Sequence, residues 1–147
     1  MRSRPLIKAL LLAGWMGVIF AMSAQPSSGE DSSWLLRLLL GPLAADLRPQ
    51  DFATLHHLAR KFGHFAEYFI LALLWAWNLG AALPRLALAW ALSTLYAASD
   101  EWHQQFVPNR GPAFADVLID SLGALAALTL LHFRIKLGRG NRRQAPR

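Results

Sequence analysis

The chain has 147 residues, 54% hydrophobic and 16% charged, against about 25% charged in soluble chains, and its mean hydropathy is +0.28. It has no cysteine, which excludes disulfides, thiolate nucleophiles and thiolate metal sites together. The net charge of +6 alone would suit a nucleic-acid binder, but the hydropathy argues against one, and this length accommodates one domain rather than a multi-domain enzyme or a twelve-helix carrier.

Four apolar runs stand out against the roughly 20 helical residues needed to cross a bilayer. The first, Leu6–Met22, is interrupted only by Lys8. Its basic start and the small residues at Ala21-Met22-Ser23 also fit a signal peptide cleaved after Ser23, but the run is long for a signal core and is read as a retained span. In the connection that follows, Asp31-Ser32-Ser33 starts a short helix with Trp34, Leu35, Leu38 and Leu39 as its apolar stripe. That stripe suits the membrane interface rather than a crossing. From Asp51 no Gly or Pro intervenes until Gly63, so one long helix is expected from about Asp51 through the second run, Phe65–Leu83. The third run, Leu86–Ala98, is short, and the fourth is Val117–Phe133, interrupted by Asp120 and His132. No strand-like alternation is sustained.

The expected fold is therefore all-α, a bundle of four transmembrane helices with a short interfacial helix in the first outer loop. The spans are placed at about 6–23, 63–83, 85–104 and 116–133, within one membrane domain over residues 1–133, and a basic cytoplasmic tail follows over 134–147. With the N-terminus inside, ten basic residues fall on the inner side: Arg2, Arg4, Lys8, Arg85, Arg134, Lys136, Arg139, Arg142, Arg143 and Arg147. The outer side holds Arg37, Arg48, Arg60, Lys61 and Arg110 with all nine acidic residues. The inner side is then +10 and the outer side −4, which together make the +6. Excess Lys and Arg in cytoplasmic segments sets orientation, so a multi-pass membrane protein with both termini cytoplasmic is expected. The basic tail suits anionic lipid headgroups; no nucleic-acid partner is expected.

The short third run draws polar residues into the membrane. A helix of about 20 residues from Arg85 ends near Gln104, so Asp100, Glu101, Trp102, His103 and Gln104 form its last outer turns. Ionisable groups there are tolerated when they face the bundle interior and pair. Asp100, His103 and Gln104 share one helical face, whereas Glu101 and Trp102 are expected to point elsewhere. On the second span, Lys61, His64, Glu67, Tyr68 and Leu71 follow the spacing of one face. On the fourth, Asp116 and Asp120 are four apart, and Arg110 lies in the connecting turn. Three helices and one loop thus converge on one outer polar pocket.

These residues resemble the VanZ-like family of small bacterial membrane proteins over roughly residues 10–133. Trp15 to Pro26 resembles the family's first helix with its Ser-x-Gln-Pro exit at Ser23, Gln25 and Pro26. Arg60-Lys61-Phe62-Gly63-His64-Phe65-Ala66-Glu67-Tyr68 resembles the start of its second helix. Ser99-Asp100-Glu101-Trp102-His103-Gln104 through Arg110, followed by Asp116 and Asp120-Ser121-Leu122-Gly123, resembles its third block. Asn109 stands where Gly is common and Asp120 where Asn is frequent. The resemblance implies an envelope role connected with reduced susceptibility to teicoplanin-type glycopeptides, and leaves the chemistry open.

The functional expectations follow. The candidate ligand-binding set is Lys61, His64, Glu67, Tyr68, Asp100, Glu101, His103, Gln104, Arg110, Asp116 and Asp120, binding an anionic cell-envelope ligand or a glycopeptide antibiotic. The first alternative is an intramembrane hydrolase or transferase with His64 and His103 as general bases and Glu67 and Asp100 as the carboxylates that orient them. Ser99 lies outside any nucleophile-elbow pattern. The second alternative is a structural or partner-binding protein in which paired charges fix helix packing. No cofactor is expected. The same His, Asp and Glu residues offer N/O ligands to a divalent metal, but without the His-Glu-x-x-His pattern.

Overall fold

The computed structural model describes residues 3–24, 33–107 and 113–144. Arg110 and the Gln25-Pro26 pair lie outside the described residues. Among the described residues the chain is helical apart from short turns, with no strand. The elements are α1 (Ser3–Ser23), α2 (Ser33–Leu40), α3 (Leu43–Asp46), α4 (Pro49–Leu79), α5 (Leu83–Gln104) and α6 (Phe114–Gln144).

The helix ends follow from local chemistry. Gly41 closes α2 with φ +54°, a left-handed conformation natural to glycine, and its N–H donates to the Arg37 carbonyl at 2.9 Å. Pro49 opens α4 in its first turn, where its missing N–H costs nothing. Gly80 closes α4 with φ +98°, its N–H donating to Ala76 at 2.7 Å. Pro84 then sits in the first turn of α5. Gly80 and Pro84 together split the second and third runs into two helices.

α4 and α6 pack most extensively, α5 lies against both, and α1 lies mainly against α4. Side-chain links fix the directions. Asn78 on α4 donates to the carbonyl of Lys8 on α1 (3.2 Å), so the end of α4 meets the start of α1 and the two are antiparallel. The Tyr96 hydroxyl of α5 donates to the Met16 carbonyl of α1 (2.7 Å), and Gln104 reaches Ser23 (2.7 Å), so α5 runs parallel to α1. Lys61 near the start of the packed part of α4 meets Asp116 at the start of α6 (2.6 Å), so these two are parallel. The order α1, α4, α5, α6 therefore runs up-down-up-down.

The interior is built from small residues. Ala72, Ala76, Ala89, Ala124 and Ala127 pack with Leu86 and Leu128; Leu12, Ile19, Tyr68, Leu71 and Ala97 form a second cluster nearer the other end. Small side chains let helix backbones approach closely, the means by which helices associate without a hydrophobic drive between them. Gly123 is the tightest point: a Cβ there would lie 2.3 Å from the Phe65 carbonyl oxygen. A Cβ added at Gly14 or Gly17 would meet nothing within 4 Å, so close packing does not explain these two glycines. Trp77 (48%) and Trp90 (39%) are exposed, whereas Trp75 packs against both core clusters.

The surface is apolar. Leu10, Phe20, Ile70, Leu88, Leu95, Leu122 and Leu130, spread over all four long helices, are all at least 40% exposed. α1 over Arg4–Ser23 and α6 over Phe114–Gly138 are long and apolar enough to cross a membrane. α6 also extends beyond the expected end of the fourth span at 133, continuing as helix to Gln144. Lys and Arg are good helix formers, and cations near a helix C-terminus complement its dipole, so the basic segment prolongs the helix.

Candidate functional site

Buried polar groups gather at one pole of the bundle, where α1 and α5 end and α4 and α6 enter the packed region. α4 places Lys61, His64, Glu67 and Tyr68 on one face. Lys61 Nζ donates to Asp116 Oδ1 at 2.6 Å, with side chains 30% and 16% exposed. One turn further in, His64 Nδ1 lies 3.9 Å from Glu67 Oε2 and 3.8 Å from Asp120 Oδ1. The imidazole is thus set between carboxylates of two helices, within electrostatic reach but beyond a direct hydrogen bond. The Glu67 backbone carbonyl accepts from Trp15 Nε1 at 3.0 Å, which ties α1 to this turn.

α5 supplies the other side. Gln104 Nε2 donates to Asp100 Oδ2 (2.9 Å) and to Ser23 Oγ at the end of α1. Glu101 Oε1 accepts the Ala113 backbone N–H just before α6. Glu101 is buried, which corrects the expectation that it points away: its long side chain reaches back to the start of α6 and satisfies an amide that the helix itself cannot. Trp102 is 63% exposed, as its position predicts. His103 lies partly buried with its ring 4.5 Å from that of Phe20 on α1. The two histidines therefore face different neighbours. Ser99 is exposed and its hydroxyl donates to the Tyr96 carbonyl (2.8 Å), which engages the one serine considered as a nucleophile.

The deepest groups are Tyr68, Asp100 and Asp120, one each from α4, α5 and α6. Tyr68 is fully buried, Asp100 is 4% and Asp120 3% exposed. The Tyr68 hydroxyl, Asp100 Oδ1 and Asp120 Oδ1 have no hydrogen-bond partner among the described residues. Buried polar atoms are nearly always hydrogen-bonded, and charge inside a membrane marks functional positions. No group of three or more His, Asp or Glu is arranged to hold a metal ion among the described residues. Sequence spacing does not single out Ser23, Trp15 or Tyr96 as contributors. Ser23 does fall within the Ser-x-Gln-Pro block, the one available signal.

An all-helical bundle with an apolar outer surface and polar groups collected at one pole has the character of a small membrane protein. The chain belongs to the VanZ/LLP1 family, whose pattern matches residues 8–135, a stretch that takes in α1 from Lys8 onward, α4, α5 and most of α6. No curated protein and no solved structure matches it.

Proposed function

We propose that the chain is a four-span membrane protein with both termini cytoplasmic, and that its polar pole faces outward and binds a cell-envelope ligand or glycopeptide. The observation that carries this is the set of buried Tyr68, Asp100 and Asp120 atoms without hydrogen-bond partners among the described residues, contributed by three helices at one level. The charge balance refines the ligand. Among the described residues, Glu67, Asp100, Glu101, Asp116 and Asp120 outnumber Lys61, and Lys61 is engaged by Asp116. The ligand accordingly brings amine, amide or hydroxyl donors to Asp100 and Asp120, and an anionic group to the basic edge that Lys61 forms and that the sequence also assigns to Arg110. A glycopeptide or a wall-peptide headgroup offers both kinds of group; a simple phosphate offers one. Resistance to teicoplanin-type antibiotics belongs to this reading.

The runner-up is hydrolysis or transfer on a lipid-linked envelope substrate. It is favoured by His64, whose Nδ1 lies within 4 Å of both Glu67 and Asp120, carboxylates placed to stabilise the imidazolium formed when a general base takes a proton. The test uses purified protein in lipid nanodiscs, titrated with teicoplanin and, separately, with a long-chain polyprenyl phosphate. Asp120→Asn, Glu67→Gln and His103→Ala are made one at a time. Saturable binding weakened at least tenfold by Asp120→Asn in a folded protein supports the binding reading. Binding retained with loss of substrate turnover selects the enzyme. Folded variants that bind and protect cells as the wild type does refute both and leave the charges a packing role.

A further inference from the structure

The opposite pole carries a groove between the start of α1 and the end of α4. Its volume is about 560 Å³ and it is lined by Arg4, Pro5, Ile7, Lys8, Trp77 and Asn78. No acidic residue lines it. Arg4 and Lys8 are four apart and so share a face of α1. Lys8 Nζ donates to the Trp77 carbonyl at 3.0 Å and stands 5.0 Å from the centre of the Trp77 ring. Asn78 holds the Lys8 carbonyl. The ammonium is thereby fixed at the groove with donors to spare, and neither Arg4 nor Lys8 has a carboxylate partner among the described residues. Along α1 from these cations toward the bundle's middle, Ile7 (50%), Leu10 (61%) and Leu11 (49%) stand exposed.

We propose that this groove binds the phosphate headgroup of an anionic phospholipid, with the acyl chains lying along the exposed leucines of α1. Two cations without carboxylate partners answer the phosphate; the apolar wall continuous with them answers the chains and selects a lipid over a soluble phosphate. Basic pockets between helices at a membrane boundary bind anionic headgroups in this way. The proposal rests on the membrane-spanning reading but not on the ligand of the polar pole.

Native mass spectrometry of the full chain in mixed micelles, with phosphatidylglycerol and phosphatidylcholine as probes, tests it. The wild type retains phosphatidylglycerol in preference. Each basic residue near an anionic surface is worth about fivefold in affinity. Arg4→Gln, which removes a side chain with no carboxylate partner to lose, reduces the preference about fivefold, and Arg4→Gln with Lys8→Gln about thirtyfold. Arg134→Gln with Lys136→Gln, which removes the same charge from α6, leaves it intact. Equal retention of the two lipids, or equal loss in both double variants, overturns the proposal in favour of diffuse charge. Displacement of the lipid by equimolar glycerol 3-phosphate overturns the lipid assignment. Recovery of the wild type in the soluble fraction of broken cells fails the membrane reading itself, and the proposal with it.

Discussion

At the scale of single residues, the polar pole divides into groups with partners and groups without. Lys61 and Asp116 neutralise each other at 2.6 Å, but Lys61 keeps nearly a third of its side-chain surface exposed. The pair is therefore worth about 1 kcal/mol or less. Lys61→Gln should destabilise the protein by that amount, and adding Asp116→Asn should recover part of it, read from unfolding of the reconstituted protein in SDS. The Tyr96 hydroxyl is a cleaner case, because its bond to the Met16 carbonyl at 2.7 Å crosses from α5 to α1. Tyr96→Phe should cost about 0.6 kcal/mol, the average for hydrogen bonds between membrane helices, and no more than about 1.7 kcal/mol. No measurable change would mean that this bond adds nothing to the hold on α1 beyond packing and the Trp15, Asn78 and Gln104 bonds. The residues of the pole were legible because Lys61, His64, Glu67 and Tyr68 repeat at helical spacing. Glu101 was not legible: its inward reach depends on where α6 begins, and spacing along α5 carries no information about a neighbouring helix. Spacing groups His103 with the pocket residues, yet its ring packs on Phe20, a contact that depends on the placement of α1.

At the scale of elements, most of the helix pattern could be read directly. Gly80 and Pro84 punctuate the chain between α4 and α5, and the uninterrupted stretch from Asp51 foretold the long α4. A straight helix of its 31 residues measures about 46 Å at 1.5 Å per residue, beyond the roughly 30 Å of a bilayer core. Its first three turns project past the bundle, most of their residues exposed, and there Arg37 of α2 lies over the Phe52 ring at 4.3 Å. The end of α6 was not legible, since a run of basic residues has the composition of a solvated tail as well as of a helix. The contact between α4 and α6 turns on Gly123. Gly123→Ala forces a methyl group against the Phe65 carbonyl and should destabilise by about 1–3 kcal/mol. Gly17→Ala, in open space, should be neutral or stabilising by up to ~1 kcal/mol through helix propensity. Equal effects of the two substitutions, measured in the same unfolding assay, would refute a glycine-dependent α4–α6 contact.

At the scale of the molecule, charge is segregated along the bundle. The carboxylates stand at one end with Lys61, Arg37, Arg48 and Arg60, and Arg4, Lys8, Arg85, Arg134 and Lys136 stand at the other. Small apolar residues fill the interior between them, and large ones cover the outside. Under the proposed topology this arrangement turns a modest net charge into an orientation signal, and it brings ionisable groups from separate helices to one level of the bundle. The central claim is that the polar pole faces outward. Because the chain has no cysteine, single cysteines report position without background. Phe106→Cys, at an exposed site of the polar pole, and Leu137→Cys, exposed on α6 past the other pole, are treated in intact spheroplasts with a membrane-impermeant maleimide. The account predicts labelling at 106 at once and at 137 only after the membrane is permeabilised; labelling at 137 with protection at 106 would contradict it.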